Sequence, residues 1–193
     1  MVERYLFGIF LLAKYFAILE CKCPFLPRKA YNMSQFLNTK ERIWTHETSG
    51  PTHLECEVEV IHTITPNQIF FMKSYYNKGN KVITKLLGKF DQRRLKHLDV
   101  YSLDGELKFS EDITYMSSTS SCAVIHVTVI GSNHHRFDLR VRNSSIKEGP
   151  DKKCLKEFQM HVKRAQVIYG PKCQHIFDTS EQCSLFIIGG SKN

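Results

Sequence analysis

Alternation of apolar and polar residues is the dominant pattern along this chain. Runs with a period of two recur at roughly even spacing, and turn signals such as Asp104-Gly105 separate them. About eight such runs stand out, at residues 41–46, 54–61, 68–76, 81–90, 95–103, 106–116, 122–130 and 136–142. Short strands at even spacing with short turns predict an antiparallel sandwich or an up-and-down barrel.

The last of these strands has two chemically different faces. Two sets of residues alternate along it: Phe137, Leu139 and Val141 on one face, and Arg136, Asp138, Arg140 and Arg142 on the other. If the charged face lines a cavity, the strand is part of a binding site. If it meets water, Asp138 and Arg140 form a surface ion pair worth about 0–1 kcal/mol. The pattern alone leaves both interpretations open.

The strand at residues 54–61 shows the clearest alternation. Leu54, Cys56 and Val58 alternate with a row of glutamates, and the row is Glu55, Glu57 and Glu59. The simplest interpretation places the apolar residues in the core and the glutamates in water.

A helical period replaces the strand period after residue 150. One apolar stripe falls on Leu155, Phe158, Val162, Ala165 and Tyr169. Asp151 is a candidate cap, and Gly170-Pro171 is a stop signal. We therefore expect one C-terminal helix with a single face packed on the sheet. A shorter helical turn is expected to begin at Ser34.

The N-terminus and the cysteines indicate export. Residues 1–21 have a basic start and a short, interrupted apolar run, as in a secretory signal peptide, so we expect residues 22–193 to form a single secreted domain. Seven cysteines are present, and cleavage after Cys21 would leave an even set of six for disulfides in an oxidising compartment. Asn32 and Asn143 each begin a glycosylation acceptor sequence.

Composition narrows the functional class. The formal charge of +8 is scattered rather than clustered, and RNA-binding sheet motifs are absent, so a nucleic-acid partner is not expected. The apolar N-terminal run is too short to span a membrane. No Gly-x-Ser-x-Gly, phosphate loop or His-Glu-x-x-His motif occurs. We therefore expect a binding protein, not an enzyme, which acts as a monomer without a cofactor or a metal.

Several short motifs in order give a specific resemblance. They are NTKERIWT at residues 38–45, the Cys56 strand, Asp104-Gly105 with Phe109 and Tyr115, Cys122-Ala123, FDLRVRNSS at residues 137–145, and Gly149-Pro150 with Cys154. In this order they resemble the salivary lipocalins of ticks, a family that includes histamine-binding proteins. The resemblance runs from about residue 38 to residue 173. It implies a mainly β fold, an eight-stranded antiparallel lipocalin barrel with one C-terminal α-helix packed on its wall.

The resemblance also implies disulfides and a ligand site. Carried over from the family, the disulfides are Cys56–Cys173 and Cys122–Cys154, and Cys183 is left to pair with Cys23. Tyr101, Phe109, Glu111 and Asp138 lie at places that match the amine site of the family. We add Trp44, an aromatic residue of the first strand, and Arg140, a candidate base, to the predicted ligand-binding set. Acidic and aromatic side chains suit a protonated amine, because a dry cavity must supply a carboxylate for the cation and aromatic faces hold both cation and ring. Core packing is the competing role for Trp44, Tyr101 and Phe109.

Some positions depart from the amine-binding pattern. The loop at residues 49–52 has no acid or aromatic residue, and Ala123 stands where a second amine site would need an acid. Arg140 shares a face with Asp138 and is able to neutralise it. Other members of the family take up leukotriene-type fatty acids, and such a ligand needs a base at one end of an apolar tunnel. The candidate bases are Arg140, Arg142, Lys85 and His126.

The sequence therefore predicts a secreted lipocalin that sequesters a small host mediator, either a biogenic amine such as histamine or a leukotriene-type lipid, and so helps to evade host defence. The alternative is a filled barrel that binds a protein or heparin through its surface and acts on clotting or complement.

Overall fold

The computed structural model describes residues 31–50 and 53–178. The signal-peptide prediction, the Cys23–Cys183 pair and the domain limits at residues 22 and 193 fall outside this part of the chain. The elements in chain order are α1 (Met33–Leu37), β1 (Ile43–Thr48), β2 (Leu54–Ile64), β3 (Gln68–Asn77), β4 (Asn80–Phe90), β5 (His97–Ser102), β6 (Leu107–Met116), β7 (Cys122–Val129), β8 (His135–Arg142), α2 (Lys152–His161), β9 (Gln166–Val167) and a 3-10 helix (Pro171–Phe177). Within this part, no helix is long and apolar enough to cross a membrane.

The strands close into an antiparallel barrel. Strands β2 to β8 pair in sequence order, and β1 closes the barrel because it pairs with both β8 and β2. The predicted eight-stranded antiparallel barrel is therefore confirmed. A short ninth strand, β9, adds to the outer end of β1 through Glu47 and Thr48.

The C-terminal helix is shorter than its predicted stripe. Asp151 caps it as predicted, because its side chain accepts a hydrogen bond from the Lys153 N–H. The helix ends at His161, and Val162 is already extended. The prediction that the helix continues along the apolar stripe to Tyr169 is wrong, because the backbone of β9 and Ile168 is instead hydrogen-bonded to β1. The Ile168 N–H, for example, donates to the His46 carbonyl.

Apolar side chains form two separate clusters, one on each side of the barrel wall. The inner cluster fills one end of the barrel, where α1 contributes Met33 and Phe36 and the strands contribute residues such as Ile69 and Leu98. The outer cluster lies between the wall and the C-terminal elements and includes Trp44, Val58, Leu139, Phe158 and Ile176. Strands β1, β2 and β8 are therefore buried on both faces, which polarity alternation alone does not indicate.

Two disulfides tie the C-terminal elements to the outer side of the barrel. Cys56 in β2 is bonded to Cys173 in the 3-10 helix, and Cys122 in β7 is bonded to Cys154 in α2. These are the pairs that the family resemblance implies. All four cysteines are fully buried in the outer cluster.

Candidate functional site

The charged face of β8 points into the barrel. Asp138 and Arg140 are both fully buried, and the intervening Leu139 belongs to the outer apolar cluster. Because α2 and the 3-10 helix cover the outer face, the apolar side of β8 is buried there and its charged side occupies the interior. Of the two interpretations that the alternation left open, the structure shows the inward one.

Arg140 is the centre of the interior charge network. Its guanidinium donates two hydrogen bonds to Glu111, at 3.0 and 2.6 Å, and one to Glu59 at 3.1 Å. The Asp138 carboxylate lies 3.5 Å from it. Burial alone lowers the pKa of Arg140, but the charges of Glu111 and Glu59 outweigh burial and raise this pKa well above its ordinary value. Arg140 therefore stays charged in a site without water contact.

A second cluster of charges lies closer to the mouth of the barrel. Arg136 Nη2 donates to both carboxylate oxygens of Glu57, at 2.9 and 3.0 Å, and lies 3.1 Å from Asp138. Hydroxyl groups complete the cluster: Thr45 donates to Glu57, and Thr48 donates to Asp138. Burial alone raises the pKa of Glu57, but Arg136 and other cations outweigh it and hold this pKa far below its usual range.

Lys73 joins the two clusters. Its Nζ lies 2.9 Å from Glu59 Oε1 and 3.8 Å from oxygens of both Glu57 and Glu111. It also lies 4.9 Å from the centre of the Phe109 ring. Burial alone lowers the pKa of Lys73, but the surrounding carboxylates overcome burial and raise it above its ordinary value. The lysine is therefore a buried ammonium held by three acids and one aromatic face.

The described interior charges do not balance. Four carboxylates face three cations, and the set is Glu57, Glu59, Glu111 and Asp138 against Lys73, Arg136 and Arg140. Uncompensated charge in a low-dielectric interior is costly, so the excess carboxylate is relevant to what the barrel can bind.

The glutamate row of β2 corrects a sequence-based prediction. Glu55 is exposed as expected, but Glu57 and Glu59 are buried inside the barrel. The pairing register with β3 shifts between Glu55 and Val58, and Cys56 has a positive φ of 57°. This bulge turns Cys56 outward to its disulfide and Glu57 inward.

A cavity of about 530 Å³ opens above the charge network. Its floor includes Glu57, Lys73 and Arg136. The walls are mainly apolar and aromatic, formed by Leu54, Tyr75, Phe109, Val127 and Val129. Its rim comprises Ser49, Gly50, His134 and His135. A mainly apolar cavity of this size with a few converging polar groups is typical of a small-molecule site.

The sequence-predicted ligand residues divide into two groups. Phe109 lines the cavity, and Glu111, Asp138 and Arg140 lie in the charge network beneath it. Trp44 and Tyr101 lie elsewhere, so their predicted ligand contacts need correction. Trp44 is in the outer cluster, where its indole N–H donates to Asn143 at 2.8 Å. Tyr101 lies under the Lys89 ammonium, 4.5 Å from it, and does not line the cavity.

The candidate bases for an acidic ligand are also placed differently from the prediction. Lys85 is exposed, and His126 stacks on Phe137, whose ring also stacks on His161 of the C-terminal helix. Arg142 donates to the Phe36 carbonyl of α1. The cations that line the cavity are Lys73 and Arg136, which sequence reasoning did not select. Arg136 shares the alternating face of Asp138 and Arg140, and this spacing was the signal available for it.

The two predicted glycosylation sites stay predictions. Asn32 caps α1 by accepting hydrogen bonds from the backbone of Ser34 and Gln35. The Asn143 side-chain oxygen accepts hydrogen bonds from Trp44 and from Gln174. Both oxygens are thus engaged in local structure.

Solved structures share this barrel. A protein named AM182, in complex with serotonin, superposes with a TM-score of 0.59 at 14% identity, covering 75% of this chain and 93% of its own. Japanin from Rhipicephalus appendiculatus, bound to cholesterol, gives 0.52 at 9% identity, with 67% and 92% covered. Lobster apocrustacyanin A1 gives 0.53 at 14% identity, with 75% and 83% covered.

These identities are low, so the likeness concerns the fold, and the fold is that of a lipocalin. No family model matches the sequence, and no curated protein matches it.

Proposed function

We propose that this protein is a secreted, non-catalytic lipocalin that sequesters a small, largely apolar molecule in the cavity of its barrel. The observation that carries the proposal is the cavity of about 530 Å³, with apolar walls and a charged floor. Its volume lies within the range of roughly 300–1,000 Å³ of small-molecule sites. Two proteins with this fold have been solved in complex with serotonin and with cholesterol, which supports a small-molecule ligand.

The floor favours a ligand with a hydrogen-bond acceptor at one end. Lys73 and Arg136 contribute two cations to the lining, whereas Glu57 contributes one carboxylate, whose oxygens already accept hydrogen bonds from Arg136 and Thr45. The buried Nε of Arg136 has no hydrogen-bond partner among the described residues. A carboxylate or hydroxyl oxygen of a bound molecule would supply an acceptor to this Arg136 N–H. A leukotriene-type fatty acid has this chemistry.

A biogenic amine is the second candidate, and a different observation favours it. The interior network holds four carboxylates and three cations, so one more cation would balance its charge. Phe109 and Tyr75 would face the ring of such an amine. The amine would have to share the acids with Lys73, which already lies between Glu57, Glu59 and Glu111.

The wider role we propose is removal of a host mediator, as in the tick salivary proteins that the sequence resembles. Two disulfides support a secreted protein, because such bonds persist in oxidising compartments. A monomer is sufficient for this role, since one barrel contains the whole cavity. Surface binding to heparin or to a protein is the alternative, and the formal charge of +8 is the feature that supports it.

The test is calorimetric titration of the refolded protein with arachidonate, leukotrienes, serotonin, histamine and cholesterol. The variant Val129→Trp places an indole at the cavity wall, and Val167→Trp, on an exposed strand outside the cavity, is the matched control. We expect Val129→Trp to weaken ligand binding by about tenfold or more and Val167→Trp to leave it unchanged. Equal affinities in the two variants would place the ligand elsewhere.

A further inference from the structure

The environment of the Lys73 ammonium resembles a binding site for a free ammonium ion. Carboxylate oxygens of Glu57, Glu59 and Glu111 lie within 3.8 Å of its Nζ, and the Phe109 ring lies 4.9 Å away. Acids combined with an aromatic face are what a desolvated ammonium group requires. The four groups come from β2 and β6, whereas Lys73 enters from β3. We call Glu57, Glu59, Glu111 and Phe109 the ammonium cage.

We propose that Lys73 is a tethered occupant of the ammonium cage, and that the cage accepts a primary ammonium ion when this lysine is removed. Lysine carries a primary ammonium on a four-carbon chain, so its end group is chemically equivalent to that of an alkylamine. The occupied cage therefore sets specificity, because an amine entering the cavity has to compete with a cation that is already in place. The inference rests on the proposed function only for this last consequence, the exclusion of amines.

Among the three interior cations, Lys73 is the one that a free ammonium ion could replace. Arg140 bonds Glu111 and Glu59 from the deeper side, and Arg136 bonds Glu57 from the strand beside the mouth. Lys73, unlike Arg140, lines the cavity, so its removal extends the cavity directly toward the three acids. The space left by Lys73→Ala corresponds to propylammonium, which carries the three carbons and the nitrogen that the substitution deletes.

The experiment compares Lys73→Ala with wild type and with Lys85→Ala, a control at an exposed lysine of β4. Thermal unfolding is followed by circular dichroism with and without propylammonium, and 1-propanol serves as the uncharged probe of the same shape. We expect propylammonium to raise the Tm of Lys73→Ala alone, and 1-propanol to raise none. We also expect histamine and serotonin to bind Lys73→Ala about tenfold or more tighter than wild type. An unchanged Tm, or an equal response to 1-propanol, would overturn the proposal.

The single variant leaves two more carboxylates than cations in the interior, which is a hazard for folding. The variant Lys73→Ala/Glu59→Gln removes one of those acids and retains Glu57, Glu111 and Phe109. This double variant should show the same selective rise in Tm with propylammonium. If the double variant folds but its Tm does not rise with propylammonium, the proposal is overturned. In wild type, reductive methylation should modify Lys85 and spare Lys73; modification of both at one rate would show that the ammonium does not occupy the cage.

Failure of this inference is distinguishable from failure of the proposed function. If wild type binds no small molecule but Lys73→Ala responds to propylammonium, the ammonium cage stands and the ligand-binding function falls. If wild type binds arachidonate in the cavity but Lys73→Ala ignores propylammonium, the function stands and the cage is refuted.

Discussion

Replacement of Arg140 by methionine should strongly destabilise the barrel. Arg140 is fully buried and holds Glu111 by two hydrogen bonds and Glu59 by one. Methionine is also unbranched but is shorter and carries no charge, so the substitution leaves Glu111 in the interior without its main partner and Glu59 without one of its two cations. Breaking a buried ion pair on one side costs about 3–5 kcal/mol, and we expect a loss of unfolding free energy in this range.

The loss should depend on pH. In wild type, burial opposes ionisation of Glu111, but the charges of Arg140 and Lys73 hold its pKa below the ordinary value. This carboxylate therefore stabilises the fold above its unfolded pKa, and the contribution is lost as the pH falls through the lower folded pKa. Without Arg140, burial should dominate and raise the pKa of Glu111. The difference between wild type and Arg140→Met should thus be largest near about pH 7.5 and smaller near about pH 5.

The assay is urea unfolding at both pH values with the disulfides intact. Lys172→Met is the control, because the pair Lys172–Glu55 is also close, at 2.5 Å, but lies on the surface. Exposed pairs contribute about 0–1 kcal/mol, so this variant should lose little. The double variant Arg140→Met/Glu111→Leu should recover part of the loss, since it removes an unpaired acid as well. A loss for Arg140→Met below about 1 kcal/mol, or one independent of pH, would refute the inward placement of this network.

Two further predictions concern the outer side of the barrel. Trp44→Phe should lower the unfolding free energy by about 1–2 kcal/mol, because the hydrogen bond to Asn143 is lost. Ligand affinity measured by calorimetry should stay within about twofold, since the indole lies outside the cavity. A larger change in affinity would show that Trp44 belongs to the ligand site. Replacing Cys122 and Cys154 together by alanine should lower the unfolding free energy in urea by about 4 kcal/mol, because their bond closes a loop with a sequence separation of 32; unchanged stability would show that this bond does not constrain the unfolded chain.

The barrel was predictable from the sequence because each strand carries its own periodicity and turn signals. The alternation in Phe137 to Val141 and the turn at Asp104-Gly105 are local signals, and they locate strands without reference to the rest of the chain. The Asp151 cap is equally local. The end of the C-terminal helix was not predictable in this way, because the segment around Ile168 bonds to β1, more than a hundred residues earlier in sequence.

Which face of a strand points into the barrel is decided by tertiary contacts, not by the alternation of polarity. On β2, polarity places Val58 in the core and Glu57 and Glu59 in water, yet the C-terminal elements cover Val58 from outside. The glutamates are acceptable in the interior only because Lys73 and Arg140 approach from other strands. No single stretch of sequence contains that information. Arg136, two residues before the predicted Asp138, was within reach of sequence reasoning; Lys73 was not.

Native mass spectrometry of the refolded protein, incubated with leukotrienes, arachidonate, serotonin and histamine in competition, tests most directly whether the cavity is the functional site. We predict a one-to-one complex with an acidic lipid, which is lost in Val129→Trp and kept in Val167→Trp. A one-to-one complex with an amine instead would indicate that the polar end of the ligand binds the interior carboxylates rather than Arg136. A protein that binds none of these molecules, with heparin retained on its surface, would contradict the claim that the cavity is the functional site.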